Sequence, residues 1–150
     1  MTDRSDMPHL LFSIRPRHVE KIVDGEKTVE LRRRFSDEIA PGTTILIYST
    51  SPTRAIVGSA AIRRVERLKL DDLWQRHGEA ACVDRATFDG YFVGVEEGYA
   101  ILLEDVREFV SHFLADDLRE QFGFVPPQSF MYLKREYYHL LSHERAQTTN

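Results

Sequence analysis

The sequence predicts an α+β fold: a small curled sheet or open barrel with helices inserted between its strands. Three observations carry that expectation. Short β-branched or apolar runs recur along the chain, helical patterns of one or two turns fall between them, and the connections are brief.

Leu10 to Ile14 reads as the first strand. Pro16 suits the first turn of a helix, where its missing N–H costs nothing, and Val19, Ile22 and Val23 follow at helical spacing. Gly25 is placed to end that helix in a left-handed conformation, and Thr28 to Arg33 resumes as a strand. Pro41-Gly42 marks a turn, Thr44 to Tyr48 a β-branched strand, and Ser49 to Arg54 a hydroxyl-rich loop around Pro52. Ala55 to Val65 reads as one long strand. Its centre, Gly58-Ser59-Ala60-Ala61, is small, which predicts close approach by another element or a cavity. Leu70, Leu73, Trp74 and His77 form a helical stripe, and Thr87 to Phe92 a second short helix. Gly94 and Gly98 frame a loop before a strand from Tyr99 to Val106. Asp116 to Phe122 is expected as a helix, Pro126 to Phe130 as a rigid corner and Lys134 to Leu141 as a terminal helix. The expected organisation is one domain over residues 9–141 between tails at 1–8 and 142–150, with no internal repeat.

Apolar content of 42% and charged content of 29% describe an ordinary soluble globular chain. No apolar run is long enough to span a bilayer and the first residues lack an apolar signal core, so a cytoplasmic location with no membrane partner is expected. The single cysteine, Cys82, fits a reducing compartment and reads as a small buried hydrophobe. The net charge of −4 hides an asymmetry. Residues 1–69 carry 13 Lys/Arg against 9 Asp/Glu, and residues 70–150 carry 7 against 15. That balance argues against wrapping around a duplex, and leaves room for a local basic cleft.

The most informative segment is Gly25-Glu26-Lys27-Thr28-Val29-Glu30-Leu31-Arg32. In a regular strand Thr28, Glu30 and Arg32 share a face, and Val29 and Leu31 point into the core. An ion pair between Glu30 and Arg32 would fix the guanidinium. Lys27 has the opposite parity if the strand is regular there, and reaches the same opening only if the backbone departs from regularity just after Gly25. The other reading of these letters is a solvated edge strand with alternating charges. A phosphate-binding loop is excluded, because that motif needs Gly directly before Lys and a second Gly five residues earlier, where this chain has Glu26 and Lys21. The six histidines are scattered and only His139 and His143 have helical spacing, so neither a metal nor a cofactor is expected.

The spacing G-x-K-x-x-E-x-R resembles the signature of the ASCH domain, a member of the PUA-like superfamily. Phe12-Ser13-Ile14-Arg15-Pro16, Glu30-Leu31-Arg32-Arg33-Arg34, Tyr48-Ser49-Thr50-Ser51-Pro52 and Pro126-Pro127-Gln128-Ser129-Phe130 extend the likeness over about residues 9 to 133. The resemblance implies a PUA-like small β-barrel flanked by helices, similar to readers of RNA modification. It also implies a cleft between barrel and helices where Lys27, Glu30 and Arg32 gather. Some relatives are ribonucleases. A small branch looks like amidohydrolases of N4-acetylcytidine, with a threonine nucleophile where this chain has Glu30. A carboxylate does not replace that hydroxyl, and Thr28 is the stand-in the pattern offers.

The residues supply further candidates for such a cleft. Arg15 and Arg17 flank the start of the first helix, whose free N–H groups favour anions. Tyr48 either packs in the barrel or stacks on a base. The hydroxyls of Ser49, Thr50 and Ser51 either form the turn or meet base edges, and Gln128 and Ser129 face them from the other wall. Arg33 and Arg34 read as solvated, and Trp74 and Phe92 as core. Glu30 is expected to hold Lys27 as an ammonium, a poor base, while Arg32 leaves Glu30 an acceptor or base. The trio therefore suits binding of RNA or a nucleotide-like small molecule. The alternative is hydrolysis of RNA or a modified nucleoside, with Lys27 and Glu30 catalytic. A third reading is a regulatory module acting through a protein partner that the sequence does not name.

Overall fold

A computed structural model describes residues 9–138. The tails expected at 1–8 and 142–150, the end of the expected terminal helix, and His139 and His143 lie outside the described residues. Six strands and four helices follow in the order β1 (Leu10–Ile14), α1 (Pro16–Val23), β2 (Val29–Arg32), β3 (Thr44–Ser49), β4 (Ala55–Lys69), α2 (Leu70–His77), α3 (Arg85–Tyr91), β5 (Glu97–Leu114), α4 (Ala115–Phe122) and β6 (Phe130–Tyr132), with a 3₁₀ turn at Arg135–Tyr137. The strands form one curled half-barrel sheet in the order β2-β5-β4-β3-β1-β6. Only β1 and β3 pair in parallel, joined through α1 and β2; the other neighbours are antiparallel.

Alternation along the strands builds two cores. Leu10, Phe12 and Ile14 of β1 and Ile45 and Ile47 of β3 meet Val19 and Ile22 of α1 on one face. Leu11, Leu46 and Tyr48 turn to the other face, under Leu118 of α4 and Phe124, Leu133 and Tyr137. A third cluster packs Leu73 of α2 and Phe88 and Phe92 of the α3 region on Val29, Leu31, Ala100 and Leu102.

β1 and α1 match the sequence reading, because Pro16 fixes one helix end and Gly25, at φ +86°, turns the chain just beyond the other. β4 and β5 run further than expected. The added part of β4 is mostly charged and faces solvent, so its strand character lies in pairing Arg67 and Lys69 with Tyr99 and Glu97. β5 continues past Val106 through an irregularity where the register shifts between Ser59 and Ala61, beside Asp105 at φ +52°. Such a bulge hides the two-residue alternation from a sequence reading. α3 begins two residues earlier than expected, capped by Asp84, whose Oδ1 accepts from the Thr87 N–H at 2.7 Å.

The small centre of β4 has its cause in β5. A Cβ at Gly58 would stand 2.4 Å from the Arg107 carbonyl oxygen. Gly58→Ala is expected to cost about 1–3 kcal/mol, read as a lower thermal midpoint.

Candidate ligand cavity

The link from α1 to β2 places the motif. After Gly25 the Lys27 N–H returns to the Lys21 carbonyl at 2.9 Å, and the Thr28 N–H bonds the Ala80 carbonyl. The strand starts only at Val29, so strand alternation does not govern Lys27. Its side chain, 3% exposed, shares the cavity with Glu30 and Arg32, which are 9% and 8% exposed. Lys27 Nζ donates to the Ala81 carbonyl at 2.6 Å and stands 3.5 Å from Glu30 Oε1. Arg32 Nη2 donates to Glu30 Oε2 at 2.8 Å.

The Arg32 fork has further partners. Nη2 donates to the Ser13 carbonyl at 3.2 Å and Nη1 to Ser129 Oγ at 2.9 Å, with the Phe12 ring beneath the guanidinium. Arg32 thus ties β2, one edge of the sheet, to β1 and to the segment preceding β6, the other edge. Ser13 adds its hydroxyl to the Pro127 carbonyl at 2.6 Å and its N–H to the Ser129 carbonyl at 3.0 Å. These bonds set Gln128 and Ser129 as the wall opposite α3.

The resulting cavity is about 400 Å³. Arg15, Arg17, Lys27, Glu30, Arg32, Gln128 and Ser129 line it together. Tyr48, Ser49, Thr50, Ser51 and Thr28 do not. Tyr48 shares the parity of Leu46, is 3% exposed, and packs its ring 5.8 Å from Phe124 on the other side of the sheet, which leaves no face for a base. Ser49 lines a different cleft, and Ser51 lies exposed in the turn after β3. Thr28 is likewise exposed and absent from the lining.

Other lining residues went unassigned. Ser13, His18, Thr87 and Tyr91 all border the cavity. The one signal for His18 was its helical spacing of three from Arg15. Tyr91 is 42% exposed, and its hydroxyl meets the Leu31 carbonyl at 3.5 Å and the Arg33 N–H at 3.3 Å. Arg33 is not merely solvated: Nη1 donates to the Tyr91 and Val93 carbonyls at 2.8 and 2.7 Å, which pins the end of α3. Nor is Cys82 a fully buried hydrophobe. It is half-buried at φ +58°, with Sγ 3.4 Å from the Glu26 carbonyl.

Burial controls the electrostatics. It pushes the Lys27 ammonium below its ordinary value, and Glu30 pulls it only partly back. This reverses the expectation that Glu30 would dominate: desolvation wins because Lys27 is nearly enclosed. Burial, then the nearby Lys27 charge, also lowers His18. Two atoms, His18 Nδ1 and Arg32 Nε, are buried without a hydrogen-bond partner among the described residues. No group of three or more His, Cys, Asp or Glu side chains is placed to hold a metal among the described residues. No described helix is long and apolar enough to cross a membrane.

Comparison with known proteins agrees with this architecture. The family described as a domain of unknown function, DUF365, matches residues 8–118. An ASCH domain-containing ribonuclease of Zymomonas mobilis is 34% identical over 137 residues, 91% of each chain. The crystal structure of ASCH from Zymomonas mobilis superposes with a TM-score of 0.84 at 32% identity, covering 94% of this chain and 96% of that one. The human THYN1 protein, solved with 5-methylcytosine-containing DNA, shares the fold at a TM-score of 0.56 and 13% identity, over 91% of this chain and 97% of that one.

Proposed function

The chain belongs to the ASCH domain family and to DUF365, and from that premise we propose that its cavity binds one nucleotide unit of single-stranded RNA in the cytoplasm. The observation that carries this reading is the convergence of exposed Arg15 and Arg17, buried Lys27 and Glu30, and the Tyr91 ring on one cavity of about 400 Å³. Arg15 and Arg17, at the start of α1, suit phosphate. Lys27 and Glu30 offer a donor beside an acceptor for a polar base edge, Tyr91 an aromatic surface, and Gln128 and Ser129 an opposing polar wall. Arg32 is assigned a different task from phosphate contact. Its two Nη atoms are engaged with Glu30, Ser13 and Ser129, so it holds the wall in place.

Filter binding of a short single-stranded RNA tests the reading. Arg15→Ala and Arg17→Ala are each expected to weaken binding and to reduce its salt slope by about one. Unchanged affinity in both would overturn it.

A pH series adds a second expectation. Burial, then the nearby Lys27 charge, lowers the folded-state value of His18, so it takes up its proton below its ordinary 6.5. RNA affinity is therefore expected to rise as pH falls through that range, and His18→Gln to flatten the rise. Stability runs the opposite way: below 6.5 the unfolded chain takes up the proton first, so the His18 contribution is lost as pH falls.

Hydrolysis is the second reading, favoured by the ribonuclease name of the 34% identical relative. Buried Lys27, with its lowered value, would then face a phosphorane or carbonyl oxygen. Wild-type turnover of labelled RNA or N4-acetylcytidine that vanishes in Lys27→Met would place this reading first. Binding without turnover would leave the first in place.

A further inference from the structure

His18 is half-buried on α1, borders the main cavity, and stands close enough to Lys27 and Glu30 for both charges to act on its ring. Its two nitrogens are not equivalent. Nδ1 is buried and has no hydrogen-bond partner among the described residues, so Nε2 is the nitrogen left to meet a guest. This asymmetry fixes the proton. On Nδ1 it would make a buried donor without an acceptor, the rarer and costlier kind of orphan. A doubly protonated ring would carry the same defect. The neutral ring with its proton on Nε2 is favoured, and His18 therefore offers the cavity a donor.

Its neighbours add to a surplus of donors. Lys27 Nζ gives one N–H to the Ala81 carbonyl at 2.6 Å and leans on Glu30 Oε1 at 3.5 Å, which leaves a third N–H. Arg32 Nε is another buried donor without a partner among the described residues. Glu30 is the one carboxylate among the described lining residues, and with Oε2 accepting from Arg32 at 2.8 Å it keeps further lone pairs. Thr87 and Gln128 can donate or accept, so they select nothing.

We propose that the cavity selects nucleotides whose base has a lactam edge, a carbonyl beside a ring N–H, with His18 Nε2–H and Lys27 sharing the carbonyl oxygen and Glu30 accepting the ring N–H. This rests on the nucleotide reading of the same cavity and adds a base preference to it. Uracil and guanine have that edge. A carbonyl oxygen has two lone pairs and takes both donors. Cytosine offers instead a ring nitrogen with a single lone pair beside its amine, or its carbonyl beside a bare nitrogen that would face the carboxylate. Adenine offers only the first of these. His18 is thus a specificity-determining residue, acting as a neutral donor.

Long-range ¹H–¹⁵N correlation of the His18 ring, on the wild-type chain without ligand at slightly alkaline pH, reads the tautomer directly. The proton is expected on Nε2, and a proton on Nδ1 would overturn the proposal whatever the nucleotides do. Titration of the ¹⁵N-labelled chain with nucleoside 5′-monophosphates reads the preference. Uridine is expected to bind about tenfold tighter than cytidine, and guanosine about tenfold tighter than adenosine. The N3-methyluridine nucleotide, which lacks the ring N–H, is expected to lose the advantage. His18→Phe is expected to bring uridine down to the cytidine level, and His18→Gln, with an amide N–H in place of Nε2–H, to restore it. Binding of all the nucleotides without preference, or a reversed preference in either pair, would sink the base selection and leave the nucleotide reading standing. Binding of none would sink both.

Discussion

Glu30→Ala is expected to lower stability by about 3–5 kcal/mol, because it strands two buried cations. Lys27 and Arg32 both lean on the one carboxylate, at 3.5 and 2.8 Å, and all three side chains are buried. Solvent screening therefore does little to soften the loss. Urea unfolding would show the midpoint falling while the slope stays fixed. Lys27→Met provides the contrast. It leaves the Glu30–Arg32 pair intact and puts an apolar chain of similar length in the same space, so its stability cost is expected to be small. Equal losses in the two variants would mean that the carboxylate is not the hub of the trio.

RNA affinity is expected to respond in the reverse order. Lys27→Met removes the one ammonium at the inner wall of the cavity. A charged donor to a polar ligand is worth about 1.5–3 kcal/mol, so binding should weaken by roughly tenfold to a hundredfold while the protein stays folded. Filter binding beside a thermal melt reads both quantities on one preparation. Full affinity in a folded Lys27→Met protein would remove Lys27 from the ligand.

Much of this arrangement was legible in the sequence, for identifiable reasons. Pro16 and Gly25 bracket α1 because each has a backbone preference that neighbours do not override. Glu30 and Arg32 share a face because two residues in a strand always do. Lys27 was undecided for the same reason: its position depends on an irregular link whose bonds, from Lys27 to Lys21 and from Thr28 to Ala80, are tertiary. Tyr48 closes the strand expected over Thr44 to Tyr48, and barrel packing was one of its two readings; alternation with Ile47 and Ser49 sends it to the α4 side of the sheet, which the sequence alone does not identify as the packed side. His18 and Tyr91 lie on helices whose buried stripe depends on what packs against them, and nothing local marks which flank faces a cavity. Burial of Lys27 was equally invisible. The expected pull of Glu30 is real, but the enclosing wall of Ala81 and α3 comes from residues more than fifty positions away.

The sheet is not stitched shut. Between its two margins runs a seam held by side chains: Arg32 bonds Glu30 on its own strand and reaches Ser13 and Ser129 across the gap, and Phe35, just past β2, packs its ring on Phe12 and Phe130. A ladder of amides would fix the width of that seam by backbone geometry alone. Side-chain contacts leave that width to Arg32 and its neighbours, so a substitution at Arg32 is expected to alter the aperture of the cavity while the backbone ladders on either side keep their pairing.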